Sequence, residues 1–373
     1  MRAMSDPIAR FDIHVDDLVL DDLRDRLALT RFPDELPDTG WEYGVPLGYL
    51  HELVEYWRDG YDWRAQEARL NTLPQFRTLI DGQSIHFVHV RAPSDDAFPL
   101  LLMHGWPGSI IEFVDAIERL RDEFHLVVPS LPGYGFSEPT RTRGWDPTRI
   151  ARAFTALMAQ LGYTRYGAQG GDWGAQIATR IGAIDTEHCA AIHLNMPIGS
   201  RPDDAPPLTD ADKADLAAMH EFQREEAGYA IEQGTKPQTL GVGLNDSRAG
   251  LLAWIVEKFR TWSDCDGHPE NVFTRDQLLT NVMLYWVTRT IASSTRLYRE
   301  TRLAGVDGEP ARVDIPTGVA RFPKEVIRFP RSWVEHRYNV THWADMPRGG
   351  HFAAMEQPAL FAGDVRTFFR GVR

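Results

Sequence analysis

Between residues 84 and 195 the chain alternates short β-like runs with helical stretches, and this order restricts the fold more than any other feature of the sequence. The β-like runs are Ser84–Val90, Phe98–Met103, Leu126–Val128, Tyr166–Gln169 and Ala190–Asn195; helices are expected over Ile110–Arg121, over Pro147–Leu161 and after Gly174. Parallel neighbours need a long crossover, so a repeated strand, helix, strand order predicts a largely parallel sheet with helices on both faces. After Asn195 the alternation stops, and a Pro/Asp-rich linker from Pro202 to Thr209 leads into helix-like sequence up to about Glu300, read as an inserted helical lid. Alternation resumes at Val313, with the last strands near Ala320 and Val340 and a closing helix over Pro358–Phe369.

Residues 1 to about 75 read as helical and irregular, with helices over Leu18–Leu29 and from Leu47 to about Arg58. The expected division is an N-terminal extension over residues 1–95, a first part of the core over 96–197, the lid over 198–305 and the rest of the core over 306–373. A chain of 373 residues is long enough for one large domain with such an insertion.

A formal net charge of -13 disfavours nucleic acid and anionic lipid, both of which would be repelled at long range. A neutral small molecule is the expected partner, and 11 Trp with 18 Phe suit a greasy pocket as well as a core. Cys189 and Cys265 stand in no metal-ligand or redox spacing, which fits a reducing compartment. Arg2, Asp6, Arg10, Asp12, Asp16 and Asp17 leave no apolar run at the start, so neither a signal peptide nor a membrane anchor is expected and the cytoplasm is the expected location.

Chemistry enters at Gly170-Gly171-Asp172-Trp173-Gly174, which follows a strand and precedes a helix. That is the context of a nucleophile elbow, in which flanking glycines let strand and helix approach while the central side chain is thrust above the sheet. Lipases and esterases place serine there. An aspartate changes the reaction: a carboxylate attacking a saturated carbon leaves an ester that water can cleave, whereas an alkylated serine would be an ether and a dead end. The elbow makes the predicted fold an α/β-hydrolase fold: a mostly parallel sheet with helices on both faces, a helical lid insertion and an N-terminal helical extension.

The companions of Asp172 agree with that chemistry. His104-Gly105-Trp106-Pro107-Gly108 directly follows a strand, where this fold supplies an oxyanion donor, so the N–H groups of Trp106 and Trp173 are expected to share one oxygen. Trp106, Trp173 and Pro107 are also expected to line the substrate pocket; His104, inside the turn, reads as structural. His351, in the glycine-rich Arg348-Gly349-Gly350-His351-Phe352 before the final helix, is the expected base by loop position and chain order, ahead of His336 and His342. Glu325, after the penultimate strand, is the expected orienting acid, ahead of Asp314 and Asp345. An epoxide oxygen leaves as an alkoxide and needs a proton donor, a task suited to tyrosine. The lid offers Tyr229 and Tyr298, which the residues alone do not separate from Tyr285.

Here the sequence resembles the microsomal-type epoxide hydrolases along nearly its whole length, including their N-terminal helical extension. The matching stretches are His104-Gly-Trp-Pro-Gly-Ser109, Pro132-Gly-Tyr-Gly-Phe-Ser137, Gly170-Gly-Asp-Trp-Gly174, Leu244-Asn-Asp-Ser247, Asn281-Val-Met-Leu-Tyr-Trp286 and Arg348-Gly-Gly-His-Phe-Ala-Ala354. The resemblance implies Asp172 as nucleophile, Glu325 as acid, His351 as base and Tyr229 and Tyr298 as the ring-opening pair. It implies no metal or organic cofactor, a small-molecule epoxide as partner and, as product, a vicinal diol; self-association as a homodimer stays open. Microsomal members begin with a membrane-anchoring helix for which this sequence has no counterpart, so the resemblance carries the chemistry and not the location. The alternatives are a haloalkane dehalogenase with the same nucleophile, in which Trp or Asn side chains cradle halide, and a silent hydrolase-fold receptor.

Overall fold

In the computed structural model, which describes residues 8–305, 310 and 312–372, the strands form one nine-stranded sheet. Arg2 and Asp6 of the polar start, and the expected boundary at residue 306, lie outside the described residues. The strands are β1 (Ala9–Phe11), β2 (Gln75–Ile80), β3 (Gln83–Val90), β4 (Phe98–Met103), β5 (Phe124–Pro129), β6 (Tyr166–Gly170), β7 (Cys189–Leu194), β8 (Val313–Arg321) and β9 (Tyr338–Asp345). Their order is β1-β2-β3-β5-β4-β6-β7-β8-β9. Pairing is parallel from β5 through β4 to β9 and antiparallel from β1 through β3 to β5.

The parallel half follows the predicted alternation closely at β4 and β5, mainly apolar runs buried on both faces, whereas β8 and β9 at its edge are more polar and partly exposed. The antiparallel edge went unread in part. β2, Gln75-Phe-Arg-Thr-Leu-Ile80, is half-polar and only partly buried, so its apolar pattern is weak. Its signal lies in the turn: Asp81 (φ 51°) and Gly82 (φ 71°) are both left-handed, the two-residue Asp-Gly hairpin that joins β2 to β3. The helix Trp63–Asn71 was also unread, although Asp62 caps it by accepting from the Ala65 N–H. The expected helix over 110–121 is a 3₁₀ turn, Ile110–Phe113, that runs into an α-helix, Val114–Leu120.

Strand order reverses around β4, with β5 on one side and β6 on the other, so the carboxyl ends of β4 and β6 lie together at the switch point, with Met103 beside Gly170. Over residues 210–304 six α-helices run in succession, in the stretch read from the sequence as a lid. The N-terminal helices brace these: Tyr56 donates to Asp276 at 2.8 Å, Arg275 pairs with Glu52 at 2.9 Å and Arg248 with Asp22 at 3.0 Å. No helix among the described residues is long and apolar enough to cross a membrane.

Candidate active site

The strand β6 ends at Gly170 and the helix Asp172–Ile184 begins at Asp172 itself. A Cβ on Gly170 would lie 2.1 Å from the Gly174 backbone, and one on Gly174 would lie 2.0 Å from the Met103 carbonyl oxygen. Strand and helix therefore cross at a spacing that admits no side chain at either position. The strained backbone of the turn sits on Asp172 itself, whose φ is 49°. A non-glycine residue held there costs about 1–3 kcal/mol, which the surrounding packing must overcome.

Asp172 Oδ1 accepts the Trp106 N–H at 2.8 Å, and the Trp173 N–H also faces the carboxylate. Burial raises the Asp172 carboxyl above its ordinary value, against the lowering pull of the His351 charge and of these two donors. Across from it, His351 Nε2 is 3.7 Å from Asp172 Oδ2, while His351 Nδ1 is 2.8 Å from Glu325 Oε1. Burial opposes the imidazolium, but Glu325 by charge and hydrogen bond, then Asp172 and Glu112, push His351 up to about 9. The structure thus brings Asp172, His351, Glu325 and the Trp106 and Trp173 amides into one place.

The rivals are occupied elsewhere. His342 Nε2 pairs with Asp364 at 2.7 Å, and exposed His336 ends the helix Arg331–Arg337. Asp314 pairs with Arg312 and Asp345 with Arg321, both at the surface. His104 is buried between the Gly105 carbonyl (2.9 Å) and the Leu131 N–H (3.1 Å), and burial holds it down near 4, a neutral structural histidine.

The tyrosines, alike in the sequence, are unlike in place. Tyr285 donates to the Gly108 carbonyl at 2.6 Å and is committed to that bond. Tyr229 stacks on Trp106 at 5.2 Å, and Tyr298 meets Trp106 edge-on at 5.9 Å and Trp173 at 4.8 Å. The two rings are 5.8 Å apart, and Tyr298 OH has no hydrogen-bond partner of ordinary geometry among the described residues. Burial first, then the charge on Asp172, raises the Tyr229 hydroxyl far above 10; burial and neighbouring Tyr229 do the same to Tyr298. Both stay protonated. Pro107 is buried, its carbonyl accepting from Asn281 at 2.8 Å; neither it nor Trp173 borders the water-sized cavity beside Asp172 and Trp106.

Several residues of the site were missed. Trp262 sits 5.0 Å from both Tyr229 and His351, and its carbonyl accepts the His351 N–H at 2.9 Å. Asn281, four residues before Tyr285 on the helix Arg275–Thr288, holds Pro107 O and accepts from Ser109 Oγ at 2.7 Å, so one helix face clamps the loop that follows Trp106. A polar pair at that spacing in an apolar helix is the signal that could have found it. Glu356 accepts the N–H groups of Asp264 (2.9 Å), Gly350 (2.9 Å) and Phe352 (3.0 Å), stapling the His351 loop to the chain after Trp262. Glu112 lines the cavity beside Asp172 and His351. No group of three or more His, Cys, Asp or Glu side chains among the described residues is arranged to hold a metal ion.

Residues 8–113 match the family described as the epoxide hydrolase N terminus, and residues 99–240 match the alpha/beta hydrolase fold. Epoxide hydrolase 1 of Sus scrofa is 39% identical over 98% of this chain and 89% of its own length. The chain belongs to the epoxide hydrolase family. Among solved epoxide hydrolases, the juvenile hormone enzyme of Bombyx mori superposes with a TM-score of 0.92 at 34% identity, covering 99% of this chain and 95% of its own. The Aspergillus niger epoxide hydrolase does so with a TM-score of 0.91 at 35% identity, covering 99% and 97%.

Proposed function

We propose that this epoxide hydrolase opens an apolar or aromatic epoxide to a vicinal diol through a covalent ester on Asp172. The observation that carries the reading is the line Glu325, His351, Asp172, with His351 hydrogen-bonded on one nitrogen and facing the carboxylate with the other. In the first step Asp172 attacks the less hindered or more electrophilic ring carbon. The C–O bond of the ring breaks, and the departing oxygen takes a hydrogen bond or proton from Tyr229 and Tyr298. Trp106, Trp173 and Trp262 surround these groups with apolar surface suited to a greasy substrate.

In the second step water attacks the Asp172 carbonyl carbon. His351 takes one water proton and the oxyanion meets the Trp106 and Trp173 N–H groups. The acyl C–O bond then breaks, its departing oxygen taking that proton from the imidazolium to complete the diol, while the second water proton leaves the Asp172 carboxyl and restores the tyrosine that protonated the ring oxygen. One such N–H donor contributes about 3 kcal/mol to the transition state. The resting His351 is charged at neutral pH, with a pKa near 9. Esterification neutralises Asp172, one of the charges that raise it, so the first step itself lowers the imidazole toward the neutral form the second step needs.

A single turnover in heavy-oxygen water is the test. Label should enter the Asp172 carboxylate and be absent from the diol, whose new oxygen comes from the aspartate; label in the first-turnover diol would reject the covalent route.

A further inference from the structure

A small enclosed cavity lies beside the nucleophile, walled on its polar side by Asp172, His351, Glu112, Gln169 and Asn195. It has room for about one water molecule. His104 also touches it, but both its ring nitrogens are engaged by backbone groups. Gln169, 1% exposed, donates through Nε2 to Asn195 Oδ1 at 3.0 Å, which fixes the amide and leaves its Oε1 without a donor among the described residues. A buried acceptor without a donor costs about 1–3 kcal/mol, so its position on a polar, water-sized cavity points to a water as partner.

Glu112 has no role in the mechanism so far. It stands on the 3₁₀ turn Ile110–Phe113, a few residues beyond the Trp106 oxyanion donor, and the Gly105 and Ser109 N–H groups face its carboxyl. A Cβ on Gly108 would fall 1.6 Å from Glu112 Oε1, so the missing side chain at 108 makes the space this carboxyl fills. One loop therefore delivers an oxyanion donor and a buried carboxyl to the two sides of Asp172.

We propose that Glu112 is a positioning residue for the hydrolytic water, holding it with Gln169 in the cavity between His351 and the Asp172 ester. The inference rests on the two-step reading above. A water there gives one hydrogen to His351 Nε2 as it attacks and keeps the other bound to Glu112 or Gln169, which turns its lone pair to the ester carbon. Burial, and the charge of Asp172 opposing the lowering pull of His351, push Glu112 up to about 8; neutral or ionised, the carboxyl keeps an acceptor oxygen.

The test separates the two half-reactions by rapid-quench mass spectrometry of the protein with styrene oxide. In Glu112→Leu, ester formation should stay within about threefold of wild type while ester hydrolysis slows about 10- to 100-fold, so that the adduct accumulates. Glu112→Gln, which keeps a carbonyl acceptor, should restore most of the hydrolysis rate. Gly108→Ala, which crowds the carboxyl out of place, should slow hydrolysis selectively and keeps the test open if Glu112→Leu does not fold. Unchanged hydrolysis in the soluble variants, or ester formation and hydrolysis falling in parallel, would overturn the proposal. His351→Gln is the control for the reading beneath it: with no adduct on Asp172 in that variant, the covalent route itself fails, whatever Glu112 does.

Discussion

Glu325 Oε1 lies 2.8 Å from Nδ1 of His351, and both side chains are almost wholly buried, so the ring is held with Nε2 toward Asp172 and, once neutral, keeps its proton on Nδ1. Removing that charge removes the strongest influence that raises His351. In Glu325→Gln the imidazole pKa falls below its present value near 9, and the rising limb of the kcat profile moves to lower pH. The loss of kcat should be about 10²- to 10⁴-fold, as for other base-orienting carboxylates. A limb that stays in place would show that Glu325 does not set the base.

Tyr229 and Tyr298 face the same space from two lid helices. Each single change to Phe should slow ester formation about 10- to 100-fold without slowing ester hydrolysis, and the double variant should nearly abolish epoxide turnover. Stopped-flow tryptophan fluorescence reads the first step, since Trp106 borders both rings and Trp173 borders Tyr298. Undiminished epoxide turnover, or halide release from haloalkanes that survives the double change, would favour a dehalogenase.

Asn281 joins Pro107 O and Ser109 Oγ, and Asn281→Ala leaves both buried groups without that partner. The fold should lose about 1–3 kcal/mol, read as a lower midpoint in chemical denaturation. Ester hydrolysis should slow more than ester formation, because the loop that carries the Trp106 N–H loosens. Equal slowing of both would show that the clamp serves the fold alone.

Three buried groups in and around the His351 site are raised by the fold: His351 to about 9, Glu112 to about 8 and Glu356 to about 7. Burial is the leading cause for the two acids, and the carboxylates around His351 outweigh burial for the base. A raised pKa means that the native state binds more protons than the unfolded chain, so this stability is present in acid and lost as pH rises through the native values. The midpoint of thermal unfolding should fall by roughly 2 to 5 °C between about pH 6 and pH 9, and Glu112→Gln should flatten the slope. A midpoint that rises over that interval would contradict the assignment of these groups.

Features decided by near neighbours in the chain were legible. Gly170 and Gly174 mark a crossing of strand and helix that a side chain would block, and Asp172 between them names the chemistry. The apolar runs of β4 to β7 announce the parallel sheet, and the glycine-rich loop before the last helix singles out His351. The Asp81-Gly82 turn and the Asp62 cap were legible too, though the weak apolar pattern around them hid β2 and the helix Trp63–Asn71.

What the sequence by itself determined is therefore the scaffold, together with a short set of candidate reacting groups, because strand period, turn sterics and chain order act over a few residues. Family resemblance singled out Tyr229 and Tyr298, but only the tertiary structure gave the physical reason, with Tyr285 spent on Gly108; it alone decided that Trp262 packs against His351 and that Glu112 fills the space left by Gly108. Most of these contacts join residues far apart in the chain, and even the Glu112 fit depends on how the loop is folded against its neighbours. Packing geometry, with no local periodicity to announce it, selects one tyrosine over another of the same chemistry.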